Sequence, residues 1–530
     1  MINKDMFPRG AEWRQWDFHI HTPASFEWSG EKRFVQMSDA EKAFSVDQMI
    51  SAMNKADPTV FVLMDYWTFD GWFSLRKRLA EAKAPELNKM VFPGIELRLV
   101  SPTKYRLNAH VVFANDVSVQ DLNNFKAKLN VALINQPLSD ECLIRFAREN
   151  VGNDKLTKIG FKAADVASDD AVALLAGSMV AEITAETYKE AIKSVPGGKA
   201  IGFMPWDTND GLEKADWEEH YAYVIDLMSS SPIFETRRQD RWAAFTGVET
   251  DDNKEWLEAF QSALDNIPRL AVAGSDAHSF SNYGKFPSGK ATWIKADPTF
   301  WGLQQAIKEP AKRSFIGERP VKLNTVNENK TYFIDSIEVA KNAGSPIVED
   351  WLSNCNLPLN PDLVAIIGNK GSGKSALADI IALLGNSQQK PHFSFLSSKR
   401  FCQQPKELAK HFTGTIKWCD QSSSQCVLSD NPSTEKVELV RYIPQAHFEK
   451  LCNDHVSGQS DVFEKELRAV IFDHTSAAIR QKALDFDQLI EQQESSYRDR
   501  LGEYRKDLKK LNQEIEGIEM QLQPVKKRSL

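Results

Sequence analysis

Gly368-Asn-Lys-Gly-Ser-Gly-Lys-Ser375 has the spacing G-x-x-x-x-G-K-S of a loop that cradles phosphates. Gly371 and Gly373 let the backbone turn N–H groups inward, with Asn369 before them and Ser372 between them, and a helix starting near Lys374 adds the positive end of its dipole. Lys374 is placed for β- and γ-phosphates and the Ser375 hydroxyl for Mg²⁺, so the segment is predicted to bind ATP with Mg²⁺. A second set of reactive residues stands upstream. Trp16-Asp-Phe-His-Ile-His-Thr22 alternates as a short strand, which puts His19 and His21 on one face. Glu96 in Phe92-Pro-Gly-Ile-Glu-Leu97, His110 in Asn108-Ala-His-Val-Val-Phe113, and Asp276 and His278 in Ala271-Val-Ala-Gly-Ser-Asp-Ala-His278 stand at or near the ends of further apolar strands. Strands that each deliver a His, Glu or Asp to one end are how a barrel of parallel strands assembles a polynuclear metal site.

Divalent ions held there, Mn, Zn or Mg, would activate water and neutralise charge developing on a phosphoryl group. Asp276, Glu96 and His278 are the candidate catalytic residues. Arg237 and Arg238, just after Pro232-Ile-Phe-Glu235, are candidates for gripping a phosphate. Trp206-Asp-Thr-Asn-Asp-Gly211 reads as a turn-rich loop following a strand end, a candidate lid over the metals.

The elements that must position these residues exceed one core, since 530 residues call for two or three domains. A net charge of -8 with 42% hydrophobic residues argues against a broadly basic coat for nucleic acid, and leaves room for a local basic groove. The six cysteines contain no C-x-x-C pair, which suits reduced thiols and neither a disulfide framework nor a zinc ribbon. No apolar run approaches the length of about 20 residues that spans a membrane, and the N-terminus lacks a signal-peptide core. These features predict a soluble cytoplasmic protein without a membrane partner. Residues 116–130 and 181–194 are amphipathic at helical spacing, as barrel helices with an inserted helical element between them.

The D-x-H-x-H-T opening, the G-x-E strand and the G-S-D-A-H close resemble the PHP (polymerase and histidinol phosphatase) domain over about residues 10–320. The resemblance implies an α/β fold, a distorted (β/α)7 barrel, hydrolysing phosphoesters with up to three metals. It makes His19, His21, Glu96 and Asp276 ligands of the first metal, with Glu96 bridging to a second, and gives His110 and His278 to the second and third. Two ligand positions depart from the family. Met64-Asp65-Tyr66 stands where T-D-H is usual and Phe203-Met204-Pro205 where A-H-P is usual, so one or two metals are expected, with Glu27 as a candidate replacement ligand.

Beyond the barrel, residues 321–460 read as a nucleotide-binding lobe. Strands are expected over Tyr332–Val339, Leu363–Ile367, Phe393–Phe401, Thr413–Trp418 and Val437–Gln445. Gln445 resembles the strand-end glutamine of ABC-type and SMC-type ATPases, which meets Mg²⁺ and the attacking water. Tyr497, Leu501, Tyr504, Leu508, Leu511, Ile515, Ile518 and Leu522 alternate at steps of four and three, a heptad seam that makes residues 461–530 a coiled-coil arm. After Gln445 there is no strand ending in Asp-Glu and no L-S-G-G-Q-like segment, Val456-Ser-Gly-Gln459 being the nearest approach. The arrangement therefore expects another chain, or a longer protein, to complete the ATP site, with at least a dimer through ATPase heads and arms.

The order barrel, P-loop lobe, coiled coil resembles the bacterial TrlF family, which includes anti-phage defence proteins. What that implies is an ATP-regulated, metal-dependent nuclease acting on nucleic acid, DNA more than RNA. Two alternatives stay open: an SMC-like ATP-dependent nucleic-acid-binding protein whose barrel is an inactive scaffold, and a hydrolase of small phosphorylated metabolites or nucleotides.

Overall fold

The structure, a computed structural model, describes residues 7–208, 210–215, 217–349, 352, 354–456, 462–480 and 482–522. Its contacts separate two units. One comprises Met1–Asp335 with Pro358–Val364 and Trp418–Gln421, and the other comprises Ser336–Leu357, Ala365–Lys417 and Ser422–Leu530.

In the first unit, apolar runs bounded by turns form β1 (Trp13–Ile20), β2 (Val60–Leu63), β3 (Met90–Leu99), β4 (Leu107–Phe113), β5 (Ala200–Pro205), β6 (Ile233–Glu235), β7 (Leu270–Val272), β8 (Ala291–Lys295) and β9 (Ser314–Gly317). They make one sheet in the order β9-β8-β1-β2-β3-β4-β5-β6-β7. Strands β2, β3 and β4 are buried along their whole length, as strands covered on both faces must be. The sheet curls until the segment after β7 reaches β1. There Ile20 and Ala277 form a parallel bridge, the His21 N–H donates to Ala277 O at 2.9 Å, and the Asp276 N–H donates to His19 O at 2.9 Å. The result is an α/β architecture with a nearly closed, barrel-like sheet.

Two departures from a regular parallel barrel bear on the site. β4 runs antiparallel to both β3 and β5, because the link Val100–Arg106 is far shorter than the dozen or more residues a parallel crossover needs. Between Asp17 and Ile20 the register of β1 against β2 shifts, a bulge that re-aims the side chains beyond it.

Trp16, Phe18, Val62, Phe92, Phe203 and Val272 cluster on one face of the curled sheet and meet Phe300 and Leu303 of the helix Phe300–Lys308. The opposite face packs on helices such as Asp39–Lys55, which opens with a capping box. Its Ser38 hydroxyl accepts the Glu41 N–H, and the Glu41 carboxylate accepts the Ser38 N–H at 2.8 Å. The amphipathic segments form helices Val119–Lys128 and Ala185–Ser194, with helices Asp140–Glu149 and Asp170–Val180 between them. This last pair packs closely at Gly177, where any Cβ would strike the Leu143 carbonyl.

The second unit holds a four-stranded sheet of β10 (Ile334–Lys341), β11 (Cys355–Pro358), β12 (Phe412–Trp418) and β13 (Ser423–Val427), in the order β11-β10-β12-β13. The expected strands over Tyr332–Val339 and Thr413–Trp418 correspond to β10 and β12. Three other expected strands do not form. Leu363–Ile367 is irregular, with Leu363 95% and Ile367 88% exposed, and Val437–Pro444 is irregular with Val437 78% exposed. Phe393–Phe401 is a series of turns. An apolar run becomes a strand only when a neighbour accepts and donates along its edges, and none of the described strands lies beside these segments. Helices Gln445–Val456 and Val462–His474 lead to the 37-residue helix Phe486–Leu522, along which the heptad residues Tyr497 to Leu522 stay exposed. Past Val456, the segment Val456-Ser-Gly-Gln459 lies outside the described residues. Among the described residues no helix is long and apolar enough to cross a membrane.

Candidate functional site

The cluster is built where strand ends converge. β1 supplies His19 and, one residue beyond its end, His21; the bulge puts both imidazoles beside Glu96 of β3. Glu96 and His110 are direct cross-strand partners of the β3–β4 hairpin. β6 ends in Glu235, and the turn after β7 carries Asp276 and His278, with Asp276 held at φ 53° in the left-handed region. Gly274 makes room for β1, since a Cβ there would overlap His19.

His19 and His21 present their Nε2 atoms to Glu96 and to Asp276. His19 Nε2 lies 3.2 Å from His21 Nε2, 3.2 Å from Glu96 Oε2 and 3.7 Å from Asp276 Oδ1. His21 Nε2 lies 3.5 Å from Glu96 Oε2 and 3.7 Å from Asp276 Oδ1. Ligands about 2.0–2.2 Å from a tetrahedral ion are separated by roughly 3.3–3.6 Å, so His19, His21 and Glu96 have the spacing of a metal's coordination edges, and Asp276 approaches the two imidazoles from the other side. His110 Nε2 approaches the other Glu96 oxygen, Oε1, at 3.3 Å, which is the placement a bridging carboxylate requires. On the far side, His278 Nε2 is 3.3 Å from Asp276 Oδ1, and its ring stacks on His21 with centroids 4.2 Å apart.

Sequence reasoning did not single out Glu235 as a metal-site residue. Its Oε2 lies 3.1 Å from His19 Nδ1 and 3.5 Å from His110 Nδ1, so one buried carboxylate faces the rear nitrogens of two candidate ligands. That arrangement fixes the rings so that their Nε2 atoms face the cluster. The available signal was its place at the end of an apolar strand, the same signal that marked Glu96. Asn108 was also passed over; its Nδ2 donates to Glu96 Oε1 at 2.6 Å and to Tyr66 Oη at 3.1 Å.

Glu27, expected as a replacement ligand, is not brought to the cluster. It pairs with Arg98 Nη2 at 3.2 Å, because Arg98, buried at the strand end, needs a counter-charge. Tyr66 stacks parallel to His21 with centroids 5.5 Å apart and lies under the Arg98 guanidinium, and Met204 is buried in the apolar core. Arg237 and Arg238 part company. Arg237 Nη2 reaches Asp276 Oδ2 at 3.4 Å, whereas Arg238 is held by Asp240 at 2.7 Å and Glu213 at 3.5 Å. The expected lid is pinned at its start, the Trp206 N–H donating to Glu235 O at 2.8 Å and Asp207 accepting from Thr236 Oγ1 at 2.8 Å.

The electrostatics favour a cation. Burial holds the His21 pKa down at about 4, so its imidazole is neutral and keeps a lone pair to donate. Burial alone would lower His19 as well, but the carboxylates of Glu235 and Glu96 outweigh it and hold its pKa well above the usual value. Burial raises a carboxyl pKa, yet His19 and His110 hold Glu96 well below the carboxylate range, and His21 and His278 do the same for Asp276. Three ionised carboxylates, Glu96, Glu235 and Asp276, thus share a pocket with four histidines, while Glu235 Oε1 and His278 Nδ1 are buried without hydrogen-bond partners. Buried charge and orphaned donor atoms together are what a metal site offers, and the residues fit one. Donor-atom spacing alone gives three overlapping triads, His19–His21–Glu96, His19–His110–Glu235 and His21–Asp276–His278, joined through His19 and His21.

In the second unit, Gly368–Ser375 forms a turn closed by the helix Lys374–Leu384, with Gly371 at φ 89° and Gly373, the residue before the helix, at φ 92°, conformations that favour glycine. Lys374 Nζ donates to the carbonyls of Gly368 at 2.8 Å and Asn369 at 3.0 Å. A cavity of about 740 Å³ opens over Gly371, Ser372, Gly373, Lys374 and Ser375. Gln445 does not line it. It opens a helix, and its amide donates to Glu449 at 2.9 Å, since the strand that was to present it is not formed.

No protein-family model matches the chain, and no curated protein matches it significantly. Among solved structures, an amidohydrolase from Chromobacterium violaceum with bound sulfate is 12% identical, over 55% of this chain and 96% of its own, with a TM-score of 0.31. A protein assigned as a metal-dependent phosphoesterase from Bifidobacterium adolescentis is 14% identical, over 51% of this chain and 89% of its own, with a TM-score of 0.24. The lesion-specific endonuclease PfuEndoQ from Pyrococcus furiosus is 12% identical, over 57% of this chain and 58% of its own, with a TM-score of 0.31. All three scores are low, and the chemistry of the site rests on this chain's own residues.

Proposed function

We propose that the barrel is a PHP-type metal-dependent phosphoesterase that cleaves nucleic acid, DNA more than RNA. The observation that carries this reading is the convergence of His19 Nε2, His21 Nε2 and Glu96 Oε2 at metal-coordination spacing, with Asp276 Oδ1 3.7 Å from both imidazoles. His19, His21, Glu96 and Asp276 would hold one ion, and Glu96 Oε1 with His110, or Asp276 with His278, a second. Bound there, divalent ions supply a Lewis acid and lower the pKa of water near a phosphoryl group.

The chain's own residues set the rest. Glu235 and Asn108 orient the ligands, and Arg237 stands at the open side of Asp276, where a charge-assisted hydrogen bond can hold a phosphate oxygen. Arg238 is committed elsewhere and takes no part. ATP with Mg²⁺ at Gly368–Ser375 is proposed to regulate the nuclease, in bacterial anti-phage defence as the TrlF resemblance implies. The exposed seam of Phe486–Leu522 is proposed to pair with a second copy as a coiled coil, giving at least a dimer.

The test is hydrolysis of single- and double-stranded DNA and RNA by metal-stripped protein given Mn²⁺, Zn²⁺ or Mg²⁺, beside His19→Ala, Asp276→Ala and Lys374→Ala. The reading expects metal-dependent cleavage that both barrel substitutions abolish, and loss of ATP binding in Lys374→Ala. Turnover of mononucleotides alone would establish the small-phosphoester reading instead. Metal-independent, ATP-dependent binding of DNA without cleavage would make the barrel a scaffold.

A further inference from the structure

Next to the cluster lies a second cavity, of about 450 Å³, into which none of the candidate metal ligands projects. Phe26, Tyr66 and Trp67 wall one side, and Leu143, Val172 and Leu175 from the helices Asp140–Glu149 and Asp170–Val180 wall the other. The cavity and the cluster are one aromatic ring apart. Tyr66 turns one face to His21, 4° from parallel, and Phe26 packs against Tyr66 at 4.7 Å between centroids.

Trp67 ties the two places together. It sits at φ 65°, a conformation that a bulky side chain keeps only when its surroundings over-determine it. Its backbone N–H donates to Glu96 O at 3.1 Å and its indole N–H to Ser178 O at 2.9 Å. Arg98, two residues beyond Glu96, donates to Met179 O at 2.6 Å. The helical wall is therefore fastened to the strand that carries Glu96, and the cavity keeps a fixed distance from the cluster.

The polar rim decides what could enter. Asp70, Asp140 and Asp170 line the cavity with Arg33, and Asp170 is already paired to Arg148 at 2.8 Å. With Asp140 also 3.6 Å from Lys126 Nζ, the rim is close to balanced in charge, and its carboxylate oxygens can accept amino hydrogens. Aromatic and aliphatic walls around a space of this size favour a flat, uncharged ring. A nucleobase has those properties: a π-face and, in adenine, cytosine and guanine, an exocyclic amine that a carboxylate can accept from.

We infer that this cavity receives the base of the nucleotide whose phosphodiester lies at the metal-ligand cluster. The substrate is then a strand whose base is unpaired at the point of cleavage, because a base stacked in a duplex would have to be extruded to reach the cavity. This rests on the phosphodiesterase reading above.

The experiment uses the full chain with Mn²⁺ and a single-stranded oligonucleotide in which one nucleotide is replaced by a tetrahydrofuran abasic residue. Cleavage beside the abasic residue is expected to fall roughly tenfold to a hundredfold against the same position with its base, the worth of one stacked base. Val172→Trp and, as a second variant from the same helix, Leu174→Trp fill the cavity. Each is expected to retain wild-type metal content and to cleave the intact strand only as fast as wild type cleaves beside the abasic residue. Equal cleavage of abasic and intact positions by wild type, or undiminished cleavage of the intact strand by both folded variants, overturns the inference while leaving the phosphodiesterase reading in place. Failure of wild type to cleave any polymer with any of the three metals removes that reading, and the inference with it.

Discussion

Glu235→Gln tests the geometry of the cluster most directly, because it keeps the volume of the side chain and changes only what Nδ1 of two histidines meets. In the wild type, Oε2 faces His19 Nδ1 at 3.1 Å and His110 Nδ1 at 3.5 Å, both inside a dry pocket. A glutamine offers one neutral oxygen, and its amide hydrogens oppose the N–H of whichever ring they face. With its oxygen at the place of Oε2 it still faces both rings, but without the negative charge it accepts more weakly and the hold on the rings loosens. Removal of an orienting carboxylate behind a metal-bound histidine typically costs roughly 10–100-fold in metal affinity, or about 1.4–2.7 kcal/mol. Metal-stripped wild type and variant would be titrated with Mn²⁺ and Zn²⁺ against a chelating indicator, with thermal melts run with and without metal. The expected outcome is a dissociation constant raised by that factor, a smaller metal-induced rise in melting temperature, and an intact fold without metal. A variant that binds both metals with wild-type affinity would refute the assignment of Glu235 as the residue that orients the two histidines.

Arg237→Ala is expected to raise KM for a phosphodiester about tenfold with metal content unchanged, and Arg238→Ala to leave KM near wild type, because Asp240 and Glu213 already occupy Arg238. Steady-state kinetics on the two variants separates them. Gly274→Ala introduces a Cβ into the space of His19 and should cost about 1–3 kcal/mol in urea unfolding while lowering metal content. Burial raises the Asp65 pKa to about 7, against the hydrogen bonds it accepts from Thr22. The folded chain then holds a proton that the unfolded chain releases near pH 4. Stability from this residue is complete below that value and declines as pH rises toward 7, by on the order of 4 kcal/mol. Asp65→Asn removes that part of the slope, so urea midpoints measured from pH 5 to 8 should fall less steeply in the variant than in wild type.

Much of the cluster was legible before any fold was known. His19, His21, Glu96, His110, Asp276 and His278 announced themselves because each reactive side chain sits at or beside a buried apolar strand, and the short link between β3 and β4 put Glu96 opposite His110. The helix after Gly373 was equally local, since glycine conformations and an apolar helical run depend on near neighbours. Other features depended on partners far along the chain. Glu235 became an orienting residue only because the sheet closes and carries β6 to the rear of β1, and Glu27 was diverted because it pairs with the buried Arg98. Arg238 is held by its near neighbour Asp240, whereas Arg237 meets Asp276, 39 positions on, only through the fold. The strands expected at Leu363–Ile367 and Val437–Gln445 fail for the same reason. Alternating apolar residues give a segment a β-preference, and a strand exists only where another strand's N–H and C=O groups meet it. Sequence thus determined which residues could do chemistry and their local geometry, while pairing, counter-charges and ring orientation were decided by contacts between residues dozens to hundreds of positions apart.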